Sequence, residues 1–246
     1  MTSIPDRTSI PDVCQVWITS LNPARVELQF RFPTLAEASQ LPIRGLLRGP
    51  RCLYSNTVQI AYPLRVDPAN GTDRPTIIIP EPALWDPVSP FLYEGPVEMN
   101  QEGEWKVSFF PRIGFRWLEW REKRLRVNGH EIRLKAKRVV MVSGREELLD
   151  WHKSAINLLI IPAKAEFETL CLLADEIGFF VLAELSPDQQ PLQWQHHPSL
   201  LGWVREGKEN DLLMVETDFA DAPGVQALPC FLERNHYFGL PALLQR

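Results

Sequence analysis

The chain has 246 residues, room for one large domain or two ordinary ones, and is 45% hydrophobic with eight Trp and twelve Phe, which fills a core and excludes global disorder. Its formal charge of −5 gives no basic footprint for nucleic acid, and no apolar run nears the roughly 20 residues needed to span a bilayer. Cys14, Cys52, Cys171 and Cys230 are too widely spaced for a zinc knuckle or a small disulfide frame, so the expectation is a cytoplasmic protein with reduced thiols.

Residues 1–12 repeat a Thr-Ser-Ile-Pro-Asp unit without the charged-then-apolar order of a secretory signal, and read as a flexible leader. From Val13 to about Leu118 the pattern is β. The runs Val13 to Ile18 and Arg25 to Phe32 alternate with period two around the turn dipeptide Asn22-Pro23. Thr57 to Tyr62, Thr76 to Ile79, Tyr93 to Met99 and Trp105 to Phe109 continue at sandwich spacing, with many of the 22 prolines between them. About seven short strands in this span predict an immunoglobulin-like β-sandwich over 13–118.

The rhythm changes after Gly114-Phe115-Arg116. The mixed Trp and charge of Arg116 to Arg124 read as an alternating strand at the seam between two domains. Leu125 to Leu134 reads as a hairpin around Asn128-Gly129. Beyond it, apolar strands are expected at Arg138 to Val142, Asn157 to Pro162, Phe179 to Ala183, Leu200 to Val204 and Asp211 to Val215. Helices are expected over Arg145 to Ser154 and about Ala165 to Ile177, the second closed by Gly178. Strands alternating with helices imply a parallel sheet covered on both faces over 119–246.

Five segments, in order, resemble glycoside hydrolase family 2, the β-galactosidase and β-glucuronidase family. They are Leu84 to Tyr93, Gly114-Phe115-Arg116, Leu125 to Lys135, Leu172 to Val181 and His197-Pro198-Ser199. The resemblance implies an immunoglobulin-like sandwich followed by a TIM-type (β/α) barrel, here truncated or incomplete. It also implies departures at the positions that carry the family's chemistry. Ala136 to Val140 stand where the family places sugar-contacting residues, and Ile160 to Lys164 where it has Arg and His. Ala183-Glu184 keep one carboxylate of an Asp-Glu pair. On an ungapped reading Gly207-Lys208 replace the Asn-Glu whose Glu is the acid/base. Lysine cannot serve as a carboxylic acid that gives up and retakes a proton near neutral pH. Only 123 residues follow Lys123, whereas a full barrel takes roughly 250, and Pro229 to Arg234 is an imperfect counterpart of the nucleophile motif.

These features lead to an expectation of a family 2-like protein inactive as a glycosidase and acting as a carbohydrate-related binding or interaction module. The alternative is an active retaining β-glycosidase with displaced carboxylates drawn from Glu184, Glu206, Glu209 and Glu233. Glu184, at a strand end where barrel folds place their sites, is the strongest of the four, and its plainer reading is a cap or an ion pair with a neighbouring Arg. His196-His197 lack a third ligand at metal spacing, and His152 reads as a packing residue. No phosphate loop, dinucleotide fingerprint or nucleophile elbow occurs, so neither cofactor nor metal is expected. The partners in view are a carbohydrate ligand and either a second copy or another chain that completes the barrel. Neither nucleic acid nor membrane is among them.

Overall fold

The computed structural model describes residues 15–31, 43–67, 72–101, 103–109, 111–121, 124–139, 144–163, 166–186 and 197–205. The chain begins with β1 (Gln15–Asn22) and β2 (Arg25–Arg31), paired antiparallel. Asn22 makes the turn by accepting the amides of Ala24 and Arg25 on its side-chain oxygen. There follow β3 (Ile43–Arg51), β4 (Ile60–Pro63), β5 (Arg65–Asp67), β6 (Thr72–Pro80), β7 (Leu92–Glu94), β8 (Val97–Gln101), β9 (Glu104–Phe109) and β10 (Arg112–Ile113). They form two sheets. One has the order β1-β2-β6-β5; the other runs β10-β7-β3-β8-β9, with β4 also on β3. Val26, Leu28, Phe30, Ile77 and Ile79 from the first sheet meet Leu47, Tyr62, Tyr93, Val97 and Met99 from the second in one buried cluster. That shared core makes the pair a sandwich.

Two sequence expectations are corrected within it. The strand expected at Thr57 to Tyr62 begins only at Ile60, as β4, which pairs with Leu46 to Gly49 of β3. The run Tyr93 to Met99 is two strands, broken at Gly95-Pro96. The central β3 lies where the sequence raised no expectation of a strand. Its glycines serve packing, since a Cβ on Gly49 would lie 2.5 Å from the Tyr93 ring.

A three-stranded antiparallel sheet follows, made of β11 (Leu118–Arg121), β12 (Arg124–Val127) and β13 (His130–Glu131). Asn128 (φ 53°) and Gly129 (φ 83°) turn the hairpin, both in the left-handed region that a two-residue turn of this hand requires. The expected hairpin is therefore present.

The last sheet is parallel, with the order β14 (Ala136–Arg138), β15 (Leu158–Pro162), β16 (Phe180–Leu185), β17 (Leu200–Arg205). Its crossovers carry α1 (Arg145–Lys153) and α2 (Phe167–Ile177). Gly178 ends α2 with φ 93°, its amide returning to the Ala174 carbonyl. The first strand lies two residues earlier than Arg138 to Val142, because pairing to β15 takes Ala136, Lys137 and Arg138. The sheet is covered on both faces, as expected. Leu159, Ile161, Val181 and Ala183 pack on Leu148, Phe167, Cys171 and Ala174 from α1 and α2. On the opposite face Leu158, Ile160, Phe180 and Leu182 pack with Trp85, Leu92, Leu125 and Val127. Side chains from the sandwich and the hairpin thus cover the face opposite the helices. Among the described residues, no helix is long and apolar enough to cross a membrane. The strand expected at Asp211 to Val215 lies outside the described residues.

Candidate functional site

Strand alternation decides which side chains reach the C-terminal end of the parallel sheet on its helix-free face. Along β16, Phe180 and Leu182 point away from the helices, and Glu184 continues that series. Along β14 the same face holds Ala136 and, two residues on, Arg138. The two meet across β15: an Arg138 Nη2 lies 2.5 Å from Glu184 Oε1. Glu184 is the one carboxylate among the residues of the four strands.

An acid in retaining hydrolysis needs a partner carboxyl about 5–5.5 Å away. What Glu184 has instead is a guanidinium in direct contact. That contact occupies a carboxylate oxygen of Glu184. The plainer reading of Glu184, an ion pair with a neighbouring Arg, is the one the structure shows. Arg138 was quoted in the sequence as part of a departure from the family pattern, but its role as partner to Glu184 was missed, because nothing in one dimension brings residues 138 and 184 together. Glu206, Glu209 and Glu233, like Lys208 and His196, lie outside the described residues.

The segments that carry the family resemblance gather elsewhere, at the junction of the sandwich with the first turns of the parallel sheet. Trp85 is fully buried; its amide donates to the Phe115 carbonyl at 2.7 Å and its indole Nε1 to the Asp175 carbonyl at 2.8 Å. Asn128 Nδ2 donates to the Trp85 carbonyl, and Asn128 Oδ1 accepts the Trp117 amide. Gly114 lies against Pro198 and Trp85, where a Cβ would come within 2.8 Å of the proline ring. The Arg116 guanidinium lies over Trp85 and Phe180 and donates to the Leu200 carbonyl. Ser89 and Val88 donate their amides to Asp86 Oδ1, closing the turn that carries Pro87 onto Gly178. The resembling segments therefore meet, with Trp85 at their centre.

A chain of ion pairs runs through the same junction. Glu94 takes Arg51 and Arg112, while Glu176 takes Arg145 through both oxygens and lies 3.6 Å from Arg51. The hydrogen bond from Arg145 holds the Glu176 carboxyl below its ordinary value, against the opposing effect of partial burial. His152 packs, as expected: its ring stacks on Tyr54 at 5.1 Å and meets Phe179 edge-on, and its Nε2 donates to the Pro87 carbonyl.

His197 is buried at the entry to β17. Its Nδ1 donates to Asp175 Oδ2 at 2.6 Å and its Nε2 lies 3.1 Å from Glu168 Oε2. With both ring nitrogens facing carboxylates, the ring offers no nitrogen to a metal. Among the described residues, no group of three or more His, Cys, Asp or Glu is arranged to hold a metal ion. This cluster was not legible in the sequence, although two of its three members, Asp175 and His197, lie in resembling segments.

Solved structures of similar shape are glycosidases. A β-glucuronidase from Parabacteroides merdae superposes with a TM-score of 0.53 at 17% identity, covering 78% of this chain and 28% of that one. A β-D-glucuronidase from Dictyoglomus thermophilum gives 0.52 at 14%, covering 81% and 38%. A glycosyl hydrolase family 2 member from Bacteroides cellulosilyticus gives 0.51 at 15%, covering 80% and 30%. The chain has the fold of glycoside hydrolase family 2 proteins, sandwich first and parallel (β/α) strands after. It spans about a third of the length of these structures. No protein-family profile matches it, and neither does any curated protein sequence.

Proposed function

We propose that this chain is a glycosidase-derived module that binds a carbohydrate or a protein partner without hydrolysing glycosidic bonds. The observation that carries the reading is the Arg138–Glu184 contact at 2.5 Å. The one carboxylate on the four parallel strands is paired with a cation at the place where a barrel glycosidase would present a reacting group. The residues shared with the family are committed to the junction around Trp85, so the likeness in sequence supports a scaffold more than a reaction. Free thiols at Cys52 and Cys171 suit the reducing interior of a cell, and a second copy or another chain of barrel strands is the partner in view.

The alternative, a retaining β-glycosidase with displaced carboxylates, is favoured by one feature. Glu184 lies at a strand C-terminus on the face where a substrate would bind. The experiment that separates the two readings is hydrolysis of aryl β-glucuronides, galactosides, mannosides and glucosides by the purified protein. A variant with Ala at positions 184, 206, 209 and 233 serves as the baseline. Turnover at the baseline rate supports the binding module; turnover that disappears in the variant establishes the hydrolase.

A further inference from the structure

We propose that His197, held as an imidazolium between Asp175 and Glu168, is a proton-operated latch that fixes the start of β17 to α2 and to the sandwich. The geometry demands the charge. Nδ1 is 2.6 Å from an oxygen of Asp175 and Nε2 3.1 Å from an oxygen of Glu168. A neutral ring would turn a lone pair toward one of these carboxylates in either tautomer.

The latch acts on one strand. Asp175, also buried, uses its other oxygen to accept the Ser199 amide at 2.9 Å, and the Asp175 carbonyl accepts Trp85 Nε1. The Ser199 carbonyl accepts the Val181 amide from β16, and the His197 carbonyl accepts the Leu200 amide. Pro198 fills the space left by Gly114. Removing the ring proton would leave the buried Asp175 and the partly exposed Glu168 facing an uncharged, buried imidazole, a costly arrangement. The strand that would respond is β17.

The charged groups that face His197 come from α2: Glu168 and Asp175. The thiol of Cys171 lies on the same helix and feels the same two carboxylates. Burial by itself lowers the imidazole pKa, but the charge and hydrogen bond of Asp175, joined by those of Glu168, reverse this and raise it to about 9. Burial, reinforced by Asp175 and Glu168, moves the Cys171 thiol well above 9, outside the working range of the latch. The folded value exceeds the unfolded one of about 6.5. The stabilisation is therefore fully present below pH 6.5, declines as pH rises, and is gone above about 9.

The test is nitrogen-15 NMR of the ring together with amide hydrogen exchange, on the full chain, between pH 6 and 10. We expect both ring nitrogens protonated at pH 7 and a titration midpoint near 9. The amides of Ser199 and Val181 should exchange at least tenfold faster at pH 9.5 than their intrinsic pH dependence accounts for, while those of Val26 and Leu28 follow the intrinsic dependence. In His197→Gln the acceleration should be present already at pH 7. A ring with one protonated nitrogen at pH 7, or Ser199 and Val181 protection unchanged through pH 9.5, overturns the proposal. The ring measurement on the unsubstituted protein decides the matter even if the variant does not fold.

Discussion

The indole of Trp85 donates across the junction to the main-chain carbonyl of Asp175 at 2.8 Å, so a residue of the sandwich caps the last turn of a helix in the parallel sheet. The ring meets Phe180 edge-on at 5.5 Å, and the backbone of Trp85 is bonded to Phe115 and Asn128. One residue thus ties together four segments that are far apart in the chain.

Replacing Trp85 with Phe should retain much of the packing but leave the Asp175 carbonyl unpaired, at a loss of about 1–3 kcal/mol. Trp85→Ala, which also opens a cavity, should lose about 3–5 kcal/mol. Urea denaturation followed by circular dichroism measures both, and a Trp85→Phe variant as stable as the unsubstituted protein would show that the indole hydrogen bond has no separate effect.

Gly178 combines φ 93° with a missing Cβ that would lie 2.3 Å from the Pro87 carbonyl oxygen. Gly178→Ala should therefore lose more than the roughly 1 kcal/mol of left-handed strain alone. The turn held by Asp86 must shift as well, and the thermal midpoint should fall by several degrees. A midpoint matching the unsubstituted protein would mean that Pro87 does not rest on the end of α2.

Glu176 has its carboxyl held low by Arg145. A depressed folded pKa contributes stability above the unfolded value of about 4.3 and loses it as pH falls through the folded value. Stability should therefore drop on acidification below about pH 4, and Glu176→Gln should flatten that part of the curve. A double-mutant cycle with Arg145→Met should give a coupling of about 1 kcal/mol, reduced by added salt.

Glu184→Gln should change stability by less than about 1 kcal/mol, because Arg138 is well exposed and water replaces the lost partner. It should leave any background release of aryl glycoside unchanged. A loss of turnover in this single variant would assign Glu184 a chemical role in spite of its ion pair.

Much of the architecture is written locally. Period-two alternation in Arg25 to Phe32, the Asn128-Gly129 turn, the apolar runs of β15 and β16 and the glycine after α2 are each decided by residues within one element, and each is read from the chain as it stands. Strand β3 is different. Its glycines take their meaning only from Val97 and Tyr93, which occupy the space above them, since close packing between strands is a property of the pair.

The same division runs through the site. The sequence alone determined that Glu184 falls at the end of an apolar strand; that other residues stand at the family's acid/base and sugar-contacting positions is what the resemblance implies. Only the tertiary structure decided that Arg138 closes on Glu184, that Glu168, Asp175 and His197 form one charged cluster, and that the resembling segments converge on Trp85. Backbone preference and alternation act between neighbours in sequence. An ion pair or a buried hydrogen bond depends on distance in space, and folding brings together residues as far apart as Trp85 and Asp175.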